Sequence, residues 1–169
     1  MSIPSSVTSI SSPVTSISSL SISRYRHDPL AFEDSIRILV LEPGEYCEPV
    51  HCHLVPTRLS DTPIYDAISY VWGTDEPSNE VFICGKKFLI KTNLYNALRR
   101  FRHSPKKDGS QKASDHDLQR KLWVDVLCVN QADIPERNQQ VQNMKRVYAG
   151  ARSVLIWLRD SIESDRLAF

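Results

Sequence analysis

The sequence predicts an α/β fold, with a mostly parallel central sheet flanked by helices and an added antiparallel β-hairpin. Near-continuous apolar runs at residues 65–72, 122–129 and 153–158 have the composition of buried strands. Segments with one apolar stripe at helical spacing, residues 93–102 and 134–148, separate these runs. Such alternation of strands and helices is typical of parallel sheets covered by helices.

The composition is that of one globular domain with a substantial core. The chain has 169 residues, of which 41% are hydrophobic and 24% charged, and its formal net charge is +1. This balance gives no basic excess for nucleic-acid binding, and no apolar run is long enough to span a membrane. The five scattered glycines form neither a P-loop nor a Gly-x-Gly-x-x-Gly fingerprint, which excludes those modes of nucleotide binding.

The cysteines bear on the cellular compartment. No segment before them has the charged start and compact apolar block of a secretory signal. The chain is therefore predicted to be cytoplasmic. Because disulfides are rare in the cytosol, its four cysteines are predicted to be reduced thiols: Cys47, Cys52, Cys84 and Cys128.

Residues 1–24 are predicted to form a disordered tail, and residues 25–169 the folded domain. The tail is rich in serine and threonine, and it contains Val-Thr-Ser-Ile-Ser-Ser twice, from Val7 and from Val14. Such a segment buries too little apolar surface to offset the entropy lost on ordering. A mitochondrial transit peptide and a phosphorylation target are two further interpretations that the sequence leaves open.

The first part of the domain is predicted to contribute strands. Residues 36–41 form one strand, and residues 50–55 form a second, expected at a sheet edge because Pro49 precedes it. Residues 81–90 form a tight hairpin in which Gly85 supplies the positive φ of the turn. These segments are expected to add antiparallel strands at an edge of the sheet.

The first predicted helix covers residues 93–102. Thr92 or Asn93 can cap it, because both side chains accept hydrogen bonds from free backbone N–H groups. Its apolar stripe has the spacing i, i+3, i+4 and i+7, at Leu94, Ala97, Leu98 and Phe101. The polar residues 103–120 are predicted to form a flexible surface loop.

The second predicted helix covers residues 134–148. Asp133 is its expected N-cap, and Glu136, three residues later, would complete a capping box. Its apolar stripe is predicted to be Val141, Met144 and Tyr148, and Gly150 is expected to end it.

A buried strand is predicted on each side of this helix. Residues 122–129 form the first, interrupted by Asp125, and residues 153–158 form the second. Residues 161–169 have the composition of a new helix, so the domain is expected to be truncated at its C-terminus.

Polar and aromatic residues gather where two of these strands end. The Ser69–Gly73 corner lies at the end of the strand at 65–72, and the Asn130–Arg137 corner lies between the strand at 122–129 and its helix. In open α/β sheets ligands bind at the carboxyl ends of the strands, so the two corners are predicted to share one site. The candidate residues are Ser69, Tyr70, Trp72, Gly73, Asp125, Asn130, Gln131, Glu136 and Arg137.

The ordered blocks of the chain, from about Tyr25 to the end, resemble the fungal heterokaryon incompatibility (HET) domain. Arg159 departs from the family pattern, which commonly has glycine after Trp-Leu. The matching residues are Tyr65-x-Ala67-Ile68-Ser69-Tyr70-Val71-Trp72-Gly73, Asn93-Leu94, Ala97-Leu98, Leu122-Trp123-Val124-Asp125, Cys128-Val129-Asn130-Gln131, Glu136-Arg137, Gln140-Val141, Met144, Tyr148, Ala151 and Val154 to Leu158.

This resemblance implies an effector role in fungal non-self recognition and programmed cell death. The family is remotely similar to Toll/interleukin-1 receptor (TIR) domains, which implies a TIR-like or flavodoxin-like fold. Some TIR domains cleave NAD with a glutamate on a helix, so the resemblance implies Glu136 as a catalytic candidate and NAD as a substrate rather than a cofactor. The alternative is a non-enzymatic signalling module that forms homo-oligomers or binds other signalling domains, and fold analogy does not decide between them.

Each candidate also has a structural interpretation. Glu136 can serve its capping box, and Arg137 can pair with Asp125 or Asp133. Asp125, within an apolar run, can anchor a neighbouring loop, since buried charges need partners. Asn130 and Gln131 can satisfy loop backbone groups.

Other arrangements that could carry chemistry are disfavoured. Every histidine lies outside the two corners, so Cys128 is interpreted as a small buried apolar residue rather than a nucleophile. Cys47, His51 and His53 share a face only if their segment is extended, and Pro49 disturbs that geometry, so no metal site is predicted.

Overall fold

The computed structural model of the chain describes residues 23–102 and 119–158. Within these ranges one seven-stranded sheet carries three α-helices, and a 3-10 turn lies at Leu59–Asp61. The strands are β1 (Ser35–Leu41), β2 (Val50–Arg58), β3 (Asp66–Tyr70), β4 (Asn79–Ile83), β5 (Lys86–Ile90), β6 (Arg120–Trp123) and β7 (Ser153–Trp157). The helices are α1 (Thr92–Phe101), α2 (Asp125–Cys128) and α3 (Ile134–Gly150).

The sheet has the strand order β5-β4-β2-β1-β6-β3-β7. Strand β3 pairs in parallel with β6 and β7, and β2 pairs in parallel with β4. The pairs β1–β2, β1–β6 and β4–β5 are antiparallel. The predicted α/β class is therefore confirmed, but a mostly parallel sheet is wrong, because β1 inserts antiparallel between β2 and β6.

Strand β2 lies inside the sheet, and the prediction of an edge position is wrong. It pairs with β1 along its length and with β4 from Val50 to Cys52. Pro49 lies just before the strand, so it removes no ladder hydrogen bond. The predicted hairpin is confirmed as β4–β5, with positive φ at Cys84 and Gly85.

The two longer helices contact opposite faces of the sheet. Ala67 and Trp123 are register partners on one face, where the Trp123 ring meets Tyr148 of α3. Neighbouring residues of a strand point to opposite faces, and on the other face Trp157 meets Phe101 of α1. One continuous hydrophobic core results, because apolar side chains of the central strands are buried together with Leu94 and Leu98 of α1.

Residues 122–129 are not one buried strand. Strand β6 ends at Trp123, and the chain then turns into the single helical turn α2, whose first residue is Asp125. Asp125 is half-buried at the start of a helix, so it does not interrupt a strand. A short apolar run fits either element, and periodicity alone does not separate them.

Helix α1 begins without the predicted side-chain cap. Its N-cap residue is Lys91, and neither Thr92 nor Asn93 caps it. Instead Asp75, from the loop after β3, accepts a hydrogen bond of 2.9 Å from the Thr92 backbone N–H. The predicted stripe is confirmed, because Leu94, Ala97 and Leu98 are buried and Phe101 packs against the core.

Helix α3 buries amides where an apolar residue was predicted. Val141 is 59% exposed, whereas Gln140 and Asn143 are buried. Their Nε2 and Nδ2 atoms each donate a hydrogen bond of 2.7 Å, to the carbonyl oxygens of Ser35 and Glu33. Met144 and Tyr148 do pack against the core as predicted. The helix ends at Gly150 as predicted, two residues beyond the expected Tyr148.

Strand β7 is the outer strand beside β3, and the prediction that it is buried is wrong. Val154 is 44% exposed and Ile156 is 72% exposed. Three predicted segments lie largely or wholly outside the described residues: the tail, the polar loop at 103–120 and the helix at 161–169. Arg24, at the end of the predicted tail, is described and forms a parallel bridge with Lys87 of β5.

Candidate functional site

The Ser69–Gly73 corner is in contact with the start of α2. The rings of Tyr70 and Trp72 stack with centroids 6.4 Å apart and an interplanar angle of 12°. The Trp72 side chain is a hydrogen-bond donor to the Asp125 carboxylate. Gln131 reaches the same residue, since its Nε2 donates to the Asp125 carbonyl oxygen at 3.2 Å. We call Tyr70, Trp72, Asp125 and Gln131 the Asp125 cluster.

The Asp125 cluster contains one carboxylate, that of Asp125 itself. It is half-buried, and burial raises its pKa although the Val126 N–H donates to Oδ1 at 2.7 Å and Trp72 donates as well. Desolvation therefore outweighs two hydrogen bonds that favour the ionised form. Such a carboxyl group can accept a proton or stabilise a developing positive charge.

Two tyrosines border this carboxylate. Burial raises the pKa of Tyr70 and of Tyr148, and the negative charge of Asp125 raises both further. Their hydroxyl groups therefore remain protonated at neutral pH. The Tyr148 hydroxyl donates to the Ile68 carbonyl oxygen at 3.4 Å, which fixes it against the end of β3.

Asn93 fastens the ends of β3 and β7 to the start of α1. Its Nδ2 donates to the carbonyl oxygens of Val71 at 2.6 Å and Leu158 at 3.1 Å. Its Oδ1 accepts a hydrogen bond of 2.9 Å from the Trp157 indole N–H. One side chain thus holds two strand ends and an aromatic ring beside the Asp125 cluster.

Glu136 points away from the Asp125 cluster and binds Arg37 of β1. The two Arg37 nitrogens lie 2.6 and 2.9 Å from the two carboxylate oxygens, and the Asn130 N–H donates to Oε1 at 2.8 Å. The side chains are 3% and 9% exposed. Burial alone would raise the pKa of Glu136, but Arg37 and the Asn130 N–H lower it below its usual value. The carboxylate is ionised and fully engaged.

Half of the predicted capping box is present. Asp133 is the N-cap of α3, and its Oδ1 accepts a hydrogen bond of 3.1 Å from the Glu136 N–H. The reciprocal bond is replaced, because the Asp133 N–H donates to the Asn130 carbonyl oxygen at 3.1 Å. The side chain of Glu136 is thereby released from the helix end to bind Arg37.

The remaining candidates lie apart from the cluster. Ser69 and Arg137 are exposed, and Arg137 forms no ion pair with any residue of the described ranges. Gly73 has φ +69, and a Cβ there would lie 2.7 Å from the Asp75 carboxylate, so its role is to permit the turn. Asn130 uses its Oδ1 to accept from the Ala132 N–H at 3.3 Å.

Three buried charged residues, Arg37, Asp66 and Arg102, were missed by the sequence analysis. Arg37 is a charged residue within an otherwise apolar strand, and that contrast was a usable signal. Asp66, at the start of β3, accepts bonds of 3.0 and 2.7 Å from Arg152 and one of 2.7 Å from Ser153. It offered the same signal, because it is the one charged residue in the apolar run at 65–72.

Two other kinds of site were searched for in the part of the chain that the structure describes. No group of three or more His, Cys, Asp or Glu side chains there could hold a metal ion. Within the same residues, no helix combines the length and apolar character that crossing a membrane requires.

Comparisons with known proteins agree with one another. The family model of heterokaryon incompatibility protein (HET) matches residues 65–169. Heterokaryon incompatibility protein 6, OR allele, of Neurospora crassa is 28% identical over 151 residues, which cover 82% of this chain and 21% of that protein. The chain thus spans about a fifth of the length of this relative, and no solved structure matches it. The chain belongs to the heterokaryon incompatibility (HET) family.

Proposed function

We propose that this chain is an effector domain of fungal heterokaryon incompatibility that acts by association with further copies of itself, in a response that leads to programmed cell death. Membership of the HET family supports the incompatibility role. The observation that carries the mechanism is the exposed apolar edge of the sheet at β7.

Strand β7 pairs with β3 on one side, and no described strand pairs with its other side. Side chains alternate along a strand, so Val154, Ile156 and Leu158 share a face. Ser69 is the register partner of Ile156, which places Val71 on this face as well. Val71 is 54% exposed and Leu158 is 69% exposed. We call Val71, Val154, Ile156 and Leu158 the β7 patch.

This edge has no feature that normally prevents strands from pairing. Residues 153–158 contain no charged residue and no proline, whereas soluble edge strands usually carry one or the other. A second copy that placed its own β7 alongside would satisfy the free backbone groups and cover the β7 patch. Addition of a strand at an open edge is a common mode of protein recognition.

The test is the oligomeric state of the full 169-residue chain, measured by sedimentation over a range of concentrations. We expect the wild type to associate, and Ile156→Lys to remain monomeric because a charge would be buried between the copies. Val141→Lys is the matched control, since Val141 is also exposed but lies on α3. A wild type that stays monomeric throughout would overturn this mechanism, as would association of Ile156→Lys equal to that of the wild type.

Hydrolysis of NAD at its nicotinamide bond is the second candidate, and the Asp125 cluster favours it. A half-buried carboxylate beside stacked aromatic rings can stabilise the oxocarbenium-like centre that forms when a glycosidic bond breaks. The parallel unit β6-β3-β7 supports the related proposal of a TIR-like sheet. In this proposal Asp125 takes the catalytic role that the sequence analysis gave to Glu136, because the Glu136 carboxylate is already paired with Arg37.

Nicotinamide release from NAD distinguishes these roles. If the cluster is catalytic, Asp125→Asn lowers the rate by at least about a hundredfold while the protein stays folded. Arg146→Ala, an exposed change on α3 outside the cluster, should leave the rate unchanged. Absence of release by the associated wild-type protein would exclude hydrolysis and leave the assembly proposal intact.

A further inference from the structure

A cleft of about 510 Å³ lies between the start of the described chain and the loop after α2. Its walls come from residues 25–27, from Phe88 of β5 and from residues 129–132. Among the candidates of the sequence analysis, Asn130 and Gln131 line it. Its volume is within the range of small-molecule sites.

The N-terminal arm, residues 23–30, is held in place by contacts with β5 and β1. Tyr25 N–H donates to the Lys87 carbonyl oxygen at 2.9 Å, and Lys87 N–H donates to that of Ser23 at 3.1 Å. Arg37 Nη2 donates to the Asp28 carbonyl oxygen at 2.5 Å. The arm is thus fixed on both sides of the cleft, which is therefore formed before any ligand enters.

Three rings form an aromatic corner in this cleft. The centroid distances are 5.1 Å for Tyr25–His27, 6.0 Å for His27–Phe88 and 6.4 Å for Tyr25–Phe88, all with edge-to-face geometry. All three side chains are half-buried, so part of each still faces the cleft. Such a corner favours a flat, aromatic ligand over an aliphatic one.

His27 presents a fixed hydrogen-bond acceptor. Its Nε2 lies 2.8 Å from the Leu127 carbonyl oxygen, which can only accept, so Nε2 carries the hydrogen. Burial lowers the pKa of His27, so the ring is neutral at pH 7. The other nitrogen, Nδ1, is then an acceptor, and no donor among the described residues reaches it. The cleft therefore selects a ligand that offers an N–H group.

Arg26 gives the same cleft a positive charge. Its side chain is exposed, and no carboxylate within residues 23–102 and 119–158 pairs with it. Gln131 uses its Nε2 for Asp125, which leaves its Oε1 as a further acceptor. A guanidinium without a carboxylate partner favours phosphate, which it can bind through two parallel hydrogen bonds.

We propose that this cleft binds a purine nucleotide, with the base in the aromatic corner, a base N–H donating to His27 Nδ1 and the phosphate bound by Arg26. In this proposal inorganic phosphate binds only to Arg26. A nucleoside binds only to the aromatic corner and to His27 Nδ1. This site is separate from the β7 patch, so it stands or falls independently of the assembly proposal.

Calorimetric titration of the full chain with AMP, adenosine and inorganic phosphate tests the proposal. We expect AMP to bind about tenfold more tightly than adenosine, and phosphate alone to bind least well. Arg26→Ala should weaken AMP binding about tenfold and leave adenosine binding unchanged. Arg146→Ala, an exposed arginine on α3, is the matched control and should change neither.

His27→Ala removes the acceptor and should weaken AMP and adenosine binding alike, by about tenfold, in a protein whose circular dichroism matches the wild type. Arg26 is exposed, so its replacement tests the site even if His27→Ala does not fold. Absence of heat with AMP at millimolar concentration would overturn the proposal, and so would equal AMP affinity of Arg26→Ala and the wild type.

Discussion

Arg37 binds both carboxylate oxygens of Glu136, with N···O distances of 2.6 and 2.9 Å, although 99 residues separate the two along the chain. The same guanidinium donates to the Cys128 carbonyl oxygen at 3.0 Å. One buried side chain therefore connects the central strand β1 with α2 and with the first turn of α3. The Asn130–Arg137 corner is positioned by this contact as well as by the Asp133 cap.

Arg37→Ala is expected to destabilise the domain by about 3–5 kcal/mol, because it leaves the Glu136 carboxylate buried without its partner. Urea unfolding at neutral pH measures this change. Arg58→Ala is the control, since Arg58 pairs with Asp34 at 2.9 Å but its side chain is 46% exposed. That change should cost less than about 1 kcal/mol. Equal losses of unfolding free energy for the two variants would contradict the structural role of the Arg37–Glu136 pair.

Asp66 should make the domain sensitive to acid. Hydrogen bonds from Arg152 and Ser153 hold the pKa of Asp66 below its usual value, despite burial. The stabilisation is therefore complete above the unfolded-state pKa of about 3.9 and is lost as the pH falls through the lower folded-state pKa. Unfolding free energies measured from pH 6 downward should show that Asp66→Asn loses less stability in acid than the wild type. Parallel pH curves would contradict this assignment.

Asp125 should have the opposite effect on stability. Burial raises its pKa, so folding favours the protonated carboxyl. Its contribution is present below the unfolded-state pKa and is lost as the pH rises through the folded-state pKa. Asp125→Asn keeps an oxygen acceptor for Val126 N–H and removes the charge. We expect this variant to gain stability relative to the wild type between acid and neutral pH, in chemical denaturation.

Asp75→Asn provides the control of opposite sign for that experiment. The pKa of Asp75 is lowered by its hydrogen bonds with Thr92, so its charge is favourable in the folded state. The asparagine variant should lose stability relative to the wild type as the pH rises from acid to neutral. If the stabilities of both variants, relative to the wild type, changed in the same direction as the pH rises, the raised pKa of Asp125 would be wrong.

Asn93→Ala should loosen the ends of β3 and β7 without unfolding the sheet. It removes two donors to backbone carbonyls and leaves the Trp157 indole N–H without its acceptor. We expect a loss of about 1–3 kcal/mol, together with faster amide exchange at Val71 N–H, which donates to the Trp157 carbonyl oxygen. Asn79→Ala is a control, since among the described residues the Asn79 side chain donates hydrogen bonds to the side chains of Ser78 and Thr92 and to no backbone carbonyl. Unchanged exchange at Val71 would contradict the role of Asn93.

Local patterns were enough to predict the elements whose signals lie within a few residues. The Gly85 hairpin, the α1 stripe and the Asp133 cap are confirmed because turn geometry, helical spacing and capping are local. The switch from β6 to α2 within one apolar run was not predictable in this way, because Leu127 and Cys128 are equally buried in a strand or a helical turn.

Long-range partners explain the remaining differences. Gln140 and Asn143 are buried because they satisfy carbonyl groups near β1, more than 100 residues earlier in the chain. Of the two predicted corners, the Ser69–Gly73 corner meets Asp125. In the Asn130–Arg137 corner, Gln131 bonds the Asp125 carbonyl oxygen, whereas Glu136 meets Arg37. No pattern within either corner contains this information, since Arg37 lies 99 residues before Glu136 in the chain.

The pairing of β1 also constrains how the chain reaches its native state during synthesis. Leu39 is opposite Leu54 on one side and opposite Leu122 on the other. The first partner emerges from the ribosome soon after β1, but the second emerges only when most of the chain has been made. Until then the apolar centre of the nascent sheet has an open flank, which extends the time during which it can aggregate.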